Sequence, residues 1–137
     1  MKVLLNEEEV FGIKNYKTYQ NFGEKINKLK ERVIKNINEL KKNNKKIVGF
    51  GAPAKATTAL NFFGISNQID YVIEDNKLKH NKYIPGVLIP IRDKKSLKEK
   101  NALILVLAWN FYKEIKKNNS NLSNNFVNIK DLESNSI

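Results

Sequence analysis

The sequence predicts an α/β fold, in which a mostly parallel sheet of about five short strands is flanked by helices and preceded by a long amphipathic helix. Short apolar runs rich in β-branched residues alternate with helical segments, which is typical of parallel strands joined by right-handed crossovers. The run ALILVLAW at 102–109 is apolar without alternation, as expected of a central strand that is covered on both faces.

The long helix is predicted within residues 15–46, where apolar residues recur at spacings of three and four. This apolar stripe consists of Tyr19, Phe22, Ile26, Leu29, Val33, Ile37 and Leu40. Two interpretations stay open: the helix packs on its own domain, or it is a connector whose stripe partly contacts another domain or chain. Residues 1–44 are accordingly predicted to be a lead-in and a connector helix.

The predicted strands lie within 45–50, 69–75, 87–91, 102–109 and 125–129. The third is expected to be short, because Pro90 has no N–H to donate to a neighbouring strand. The domain is predicted to span residues 45–130, and the polar stretches NNSNLSNN at 118–125 and KDLESNSI at 130–137 are predicted to be mobile.

Helix ends are predicted from capping residues. A helix after the first strand buries Ala56, Ala59, Leu60 and Phe63, which share one helical face. Gly64 is suited to end that helix in a left-handed cap, and Asp93 to begin a brief helix through Leu97. Asn110 is expected to cap the helix that follows the fourth strand.

The composition excludes several kinds of chemistry. The chain has no cysteine, which excludes disulfides, thiolate metal sites and cysteine nucleophiles, and its single histidine, His80, disfavours a histidine metal site or a catalytic triad. No catalytic residue and no metal ligand are therefore assigned. Acidic residues interrupt the N-terminal segment before a signal peptide can form, and no apolar run reaches the roughly 18 residues of a membrane span. A cytoplasmic location without a membrane partner is expected.

The formal net charge of +11 raises the question of nucleic-acid binding. Nearly all the basic residues are lysines spread along the chain, without the arginine clusters and interleaved aromatic residues of many nucleic-acid surfaces. Lysine and asparagine are abundant together, which favours an AT-rich codon background as the cause. Nucleic acid is therefore an unfavoured partner.

The segment GFGAPAKA at 49–56 carries the strongest functional signal. Gly49, Gly51 and Ala54 satisfy G-x-G-x-x-G/A between a predicted strand and a predicted helix, where small residues let the backbone approach a phosphate at the helix N-terminus. Asp75 follows Gly51 by 24 residues, close to the position of a ribose-binding acid. The pattern is compatible with an NAD-type dinucleotide site.

Two residues weaken the dinucleotide interpretation. Pro53 is expected in the first helical turn, where it lacks an N–H, and Lys55 adds a cation that such sites do not require. An S-adenosylmethionine site would use the same glycines with Glu74 or Asp75, yet such a domain usually has a longer sheet. A tight turn without a ligand also stays open.

Three blocks resemble the C-terminal domain of the sugar-nucleotide C-methyltransferases, enzymes of deoxysugar biosynthesis that methylate a carbon of a dTDP-linked keto-deoxysugar. They are VGFGAPAKATTALNFFGI, IDYVIEDNKLKHNKYIPGVLIPI and LVLAWNFYKEI, and with the lead-in the resemblance covers residues 4–129. It implies a Rossmann-like domain that binds a nucleotide-sugar. Asn81 stands where the family more often has glycine, and asparagine tolerates a positive φ better than most residues.

The resemblance also implies partners. Full-length members carry an N-terminal cysteine-rich zinc region and a middle domain that binds S-adenosylmethionine and carries the catalytic base. This chain is similar to the third part alone, so S-adenosylmethionine is expected on a partner domain or chain, no cofactor is expected here, and the isolated chain is expected to be inactive. A non-catalytic interaction module that uses the long helix stays open as an alternative.

The substrate-binding candidates are Gly51, Ala52, Pro53, Ala54, Lys55, Asn61, Glu74, Asp75, Lys79, Tyr83, Trp109 and Asn110. Residues 51–55 are expected to face phosphate, with Lys55 as a charged donor. Glu74 and Asp75 either hold a ligand hydroxyl or cap the following turn. For Asn61, Tyr83 and Trp109 a purely structural role stays open, and His80 is disfavoured as a general base because no methyl donor is expected beside it.

Overall fold

The computed structural model describes residues 2–43, 46–99, 101–123 and 125–134. The chain forms two compact units, which meet in sequence between Glu31 and Arg32. Helix α1 (Lys2–Phe11) belongs to the first unit, and helix α2 (Tyr16–Asn43) runs from the first unit into the second. None of the helices in these described ranges is long and apolar enough to cross a membrane.

In the first unit, α1 and the start of α2 are joined by a hydrogen-bonded corner. The Thr18 hydroxyl donates to the Gly12 carbonyl at 2.9 Å, and the Asn15 side chain accepts from the N–H of Lys17 at 2.9 Å. Several large apolar side chains of this unit are exposed, namely Val3, Leu4, Leu5, Val10, Phe11, Tyr16, Tyr19 and Phe22.

The second unit contains a parallel five-stranded sheet, which confirms the predicted α/β class. Its strands are β1 (Ile47–Phe50), β2 (Tyr71–Ile73), β3 (Ile91–Arg92), β4 (Leu103–Val106) and β5 (Phe126–Asn128), in the order β3-β2-β1-β4-β5. Strand β3 begins after Pro90, whose carbonyl accepts the Val72 N–H at 2.9 Å. The third strand is short, as predicted from the missing N–H of proline, but it lies at Ile91–Arg92 and shares only Ile91 with the predicted range 87–91.

Helices α3 (Ala54–Phe63) and α4 (Tyr112–Asn118) connect strands on opposite sides of the central pair. Because right-handed crossovers leave β1 and β4 in opposite directions, the two helices cover opposite faces of the sheet. On one face, Val48, Phe50, Ile104 and Val106 form part of a buried cluster against which Tyr112 and Ile115 of α4, together with Leu97 and Leu122, are packed. Residues at alternate positions, such as Val72 and Leu105, are buried on the other face.

The predicted apolar stripe of α2 divides into two parts. Val33 and Ile37 are fully buried in the second unit, whereas Tyr19 and Phe22 in the first unit are exposed. Between the two buried residues, the Asn36 amide donates to the carbonyls of Leu132 at 2.9 Å and Ser134 at 3.0 Å. Packing of the helix on its own domain is therefore correct for the C-terminal part of α2.

Parts of the polar segments that were predicted to be mobile form hydrogen-bonded structure in the residues described. Ile129–Glu133 forms a 3-10 helix that begins with a reciprocal cap between Asn128 and Asp131, and Leu132 is fully buried. In the other segment, Ser123 is buried and its hydroxyl donates to the Ala102 carbonyl at 2.7 Å. Polar side chains there satisfy backbone groups, which composition does not reveal. Residues 124 and 135–137 lie outside the described ranges.

The predicted helix ends had mixed outcomes. Gly64 ends α3 at φ +68°, and the Asp93 side chain accepts the Lys95 N–H at 2.8 Å, so both caps are confirmed. Asn110 is not a cap, because a 3-10 turn over Trp109–Phe111 precedes α4 and leaves Phe111 at the cap position. Pro53 occupies the N-cap position of α3 rather than its first turn.

Candidate functional site

The ends of three strands meet where the strand order reverses. Strand β1 leads through α3 to β2 on one side, whereas β4 leads through α4 to β5 on the other. Ligands of open α/β sheets bind at the carboxyl edge of such a switch point. Residues 51–55, 74–75 and 107–111, which follow β1, β2 and β4, therefore frame the candidate site.

Close packing accounts for the glycines of the turn after β1. A Cβ at position 49 would lie 2.8 Å from Val72 Cγ2 and 3.0 Å from Leu107 Cδ1, so a larger residue cannot fit. Gly51 adopts φ +85°, and a Cβ there would lie 3.0 Å from Ala108 Cβ. Both glycines are thus required by the backbone path and its neighbours, whether or not a ligand binds.

The N-terminus of α3 is open at this turn. Pro53 at the N-cap position supplies no side-chain cap, and the Ala56 N–H donates to the Pro53 carbonyl at 2.9 Å, so the N–H groups of Ala54 and Lys55 are those that can face a ligand. Because Pro53 precedes the helix, its missing N–H removes no donor from the first helical turn. The argument that Pro53 would remove a phosphate donor from this turn is therefore weaker than expected.

The carboxylate of Glu74 occupies the other side of the turn. Its Oε2 accepts the Ala52 N–H at 2.8 Å and lies 3.5 Å from the ammonium of Lys79, while its Oε1 accepts the N–H groups of Asp75 at 2.9 Å and Asn76 at 3.0 Å. Burial alone raises the pKa of Glu74, but the hydrogen bonds from Asn76 and Ala52 and the charge of Lys79 outweigh it and hold the pKa below its usual value. Glu74 is therefore a charged clamp on the turn.

The contacts of this clamp limit what Ala52, Glu74 and Lys79 can offer to a ligand. The N–H of Ala52 is already bonded, and its carbonyl accepts from Lys79 Nζ at 3.0 Å. The four donors around Glu74 match the roughly four lone-pair sites of a carboxylate. These three residues hold each other, so the geometry supports a structural role more than direct ligand contact.

A cleft of about 530 Å³ opens beside the clamp. Five of the predicted site residues line it, namely Gly51, Pro53, Glu74, Asp75 and Lys79. The other lining residues were not predicted: Phe50, Lys94, Ala108, Phe111, Glu114, Ile115, Asn118 and Asn119. Glu114, Ile115, Asn118 and Asn119 share one face at the end of α4, a spacing visible in the sequence. The sequence did not indicate that this face borders the end of β2, because the fold alone brings them together.

Lys94 contacts two other residues that line the cleft, Asp75 and Asn119. Its ammonium lies 2.7 Å from Asp75 Oδ1 and donates to Asn119 Oδ1 at 3.3 Å. Asp75 was predicted and Lys94 was not. Their pairing places one acidic and one basic side chain at the mouth of the same cleft.

Lys55 and Trp109, both predicted, contact each other across the switch point. The Lys55 ammonium lies 4.1 Å from the centre of the Trp109 ring, within the range of a cation–π interaction. Trp109 and Asn110 line a second recess of about 310 Å³, which shares Phe111 and Glu114 with the cleft. Ala54 is exposed at the first position of α3.

Asn61 and Tyr83 do not line the cleft or the second recess. The Asn61 amide donates to Pro85 O at 3.0 Å and to Thr57 O at 2.8 Å, and a Cβ on Gly86 would overlap it. Gly86 adopts φ +81°, so this corner requires glycine for two reasons. The Tyr83 side chain is exposed, which disagrees with a role in closing the core.

His80 and Asn81 stabilise the end of β2. His80 Nε2 lies 2.7 Å from the carbonyl oxygen of Glu74, and because a carbonyl only accepts, this ring nitrogen carries the proton. Asn81 adopts φ +60°, as predicted for a position where the family more often has glycine. His80 thus has a structural contact, and the geometry gives no support to a base.

Comparison with known proteins indicates the family of the chain. Residues 1–128 match the family model of the C-methyltransferase C-terminal domain. Over 114 residues the chain is 28% identical to a protein of Streptomyces niveus named C-methyltransferase NovU, a match that covers 82% of this chain and 27% of that relative. The chain therefore spans about a quarter of the length of this curated relative. It belongs to the family of C-methyltransferase C-terminal domains.

Proposed function

We propose that this chain binds a nucleotide-sugar, of the dTDP-linked deoxysugar class, for a methyltransferase whose S-adenosylmethionine and catalytic base lie on a partner domain or chain. The observation that carries the proposal is the 530 Å³ cleft at the switch point, in a member of the C-methyltransferase C-terminal domain family. Its volume falls within the roughly 300–1,000 Å³ of small-molecule sites. Alone, the chain transfers no methyl group.

The diphosphate is assigned to the open N-terminus of α3 and to Lys55. The N–H groups of Ala54 and Lys55 are those that can face a ligand there, and a helix N-terminus favours anions. The Lys55 ammonium is held at the switch point by the Trp109 ring, where it can form a charge-assisted contact with phosphate.

An NAD-type site has less support. In the G-x-G-x-x-G/A pattern the backbone of the turn approaches the pyrophosphate, but here the N–H of Ala52 already binds Glu74. An S-adenosylmethionine site at this turn would meet the same bonded Ala52 N–H, which is why we assign that cofactor to a partner.

The interaction-module alternative is favoured by one observation. Tyr16, Tyr19 and Phe22 on α2 are 80%, 58% and 62% exposed, which is unusual for large apolar side chains. In this second candidate function the first unit docks a partner protein and the turn after β1 binds nothing.

An amide-shift titration by NMR tests the proposal. The purified chain is titrated at physiological salt with dTDP, a dTDP-linked sugar, NAD and S-adenosylmethionine. Shifts confined to the two dTDP ligands, in residues 51–55, 75 and 108–119, are expected. A response to NAD or S-adenosylmethionine instead, or methyl transfer by the purified chain alone, contradicts the proposal.

Lys55→Ala separates the two candidate functions. Nucleotide binding predicts weaker affinity for dTDP with little loss of stability, since Lys55 contributes charge to the ligand rather than to the core. Lys35→Ala is the matched control, because it removes one positive charge from an exposed position of α2. Equal affinity of the two variants favours the interaction module.

A further inference from the structure

We infer that the cleft binds the neutral sugar of the nucleotide-sugar, with Asp75 and Lys94 as the pair that contacts its hydroxyl or keto oxygens, and that the diphosphate lies outside the cleft. The inference rests on the function proposed above and specifies which part of the ligand enters. Three properties of the cleft support the inference: its charge, its hydrogen-bonding capacity and its apolar surface.

The charged side chains that line the cleft do not suit a diphosphate. Three of them are carboxylates, Glu74, Asp75 and Glu114, and two are ammonium groups, Lys79 and Lys94. The cleft is thus lined by a net negative charge, although the chain as a whole carries +11. A diphosphate in this cleft would meet like charge, whereas a neutral sugar would not.

Asp75 and Lys94 are polar side chains of the cleft that keep hydrogen-bonding capacity for a ligand. Glu74 and Lys79 are used in the clamp on the turn. Asp75 has one oxygen on Lys94, and 58% of its side chain is exposed. The Lys94 ammonium has three N–H donors, of which Asp75 and Asn119 account for two. An acceptor and a donor thus lie side by side, as adjacent sugar oxygens require.

The rest of the lining suits the non-polar faces of a sugar ring. Phe50, Ala108 and Ile115 supply apolar surface on the side of α4, and the ring of Phe111 is 59% exposed at the mouth. Aromatic and aliphatic surface against the C–H groups of a deoxysugar, together with a few convergent polar groups, is the usual construction of a small-molecule site.

An exposed lysine–aspartate pair contributes little to folding stability, so its removal tests binding directly. Asp75→Asn and Lys94→Met are compared with Asp70→Asn and Lys41→Met. The control pair is partly exposed, with Lys41 Nζ 2.8 Å from Asp70 Oδ2, which also accepts the Ile47 N–H at 2.9 Å, and it does not line the cleft. Thermal unfolding of all four variants verifies that they fold.

Calorimetric titrations of the full chain use dTDP and dTDP-4-keto-6-deoxyglucose as probes. Both cleft variants are expected to bind the nucleotide-sugar at least tenfold more weakly than the wild type, and dTDP less than twofold more weakly, with both controls unchanged. Equal losses for the two probes, or tighter binding of the nucleotide-sugar by Asp75→Asn, overturn the inference. Wild-type affinities retained by both cleft variants overturn it too and leave the proposed function standing. If the wild type binds neither probe, both proposals fail.

Discussion

Glu74 illustrates how one residue determines which ligands a turn can accept. The glycine-rich turn after β1 carries the spacing of a dinucleotide site, yet its central N–H, that of Ala52, donates to the Glu74 carboxylate. A negatively charged side chain thus takes an N–H that the dinucleotide pattern would offer to a phosphate. At the residue scale, the close approach of Val72, Leu107 and Ala108 accounts for the glycines whether or not a ligand binds.

Glu74→Gln tests the clamp. A glutamine carries no charge and turns one of its two terminal groups into a donor, so hydrogen bonds from backbone N–H groups are lost. We expect the free energy of unfolding to fall by about 1–3 kcal/mol at pH 7, as for hydrogen bonds to charged groups. Urea unfolding measures it, with exposed Glu24→Gln as the control, for which a change within about 0.5 kcal/mol is expected.

The same variant has a predicted pH dependence. The pKa of Glu74 is lower in the folded than in the unfolded state, so its contribution is complete above the unfolded pKa and is lost as the pH falls through the folded pKa. The stability gap between wild type and Glu74→Gln is therefore expected to narrow below about pH 4. A gap that is constant from pH 7 to pH 3, or absent at pH 7, would refute the charged clamp.

At the scale of elements, α2 is anchored through its C-terminal part. Val33 and Ile37 supply buried apolar surface, and Asn36 between them is only 4% exposed. Its amide donates to two carbonyls of the segment at 132–134, which is also held by the buried side chain of Leu132 and by Arg32, whose Nε donates to the Glu133 carbonyl at 3.3 Å. A polar residue in the apolar stripe thus joins the two ends of the second unit.

Asn36→Ala removes this attachment. Two carbonyls lose their donor, and we expect the free energy of unfolding to fall by about 1–3 kcal/mol despite the higher helix propensity of alanine. Asn27→Ala, at an exposed position of the same helix, is the control and is expected to be neutral or stabilising. Denaturant unfolding followed by circular dichroism compares the two. If Asn36→Ala and the wild type had equal free energies of unfolding, the Asn36 amide would contribute nothing to stability.

On the scale of the whole molecule, the sequence divides at Glu31 and Arg32 rather than where the predicted connector ends at residue 44. The difference matters because Val33, Asn36 and Ile37 belong to the core of the second unit. All residues that line the cleft and the second recess belong to that unit.

Two truncations test this division. A chain that begins at Arg32 keeps every buried residue of the second unit and is expected to unfold cooperatively, within about 1 kcal/mol of the full chain. A chain that begins at Lys41 loses Val33 and Ile37, each worth about 1.5–3 kcal/mol when fully buried, and is expected to be largely unfolded. Similar unfolding curves for the two truncations would place the boundary elsewhere.

Local patterns predicted the elements well. The apolar run of β4, the missing N–H of Pro90 and the caps at Gly64 and Asp93 act over a few residues, and the structure confirms them. The Asn110 cap was wrong, because a 3-10 turn over Trp109–Phe111 places Phe111 at the cap position, which the type of the nearby residues does not reveal. The polar segments at 118–125 and 130–137 were predicted to be mobile from their composition, which does not reveal hydrogen bonds with residues distant in sequence, such as that from Asn36 to the Leu132 carbonyl and that from Ser123 to the Ala102 carbonyl.

By itself the sequence determined the α/β class, the parallel sheet, the long helix and membership of the C-methyltransferase C-terminal domain family, all of which depend on periodicity and on motifs written in consecutive residues. The tertiary structure alone decided that Glu74 binds the N–H of Ala52, that Lys94 pairs with Asp75 and that Lys55 lies over Trp109. These contacts join residues 19 to 54 positions apart. Their distances follow from strand order and helix placement, which no local pattern contains.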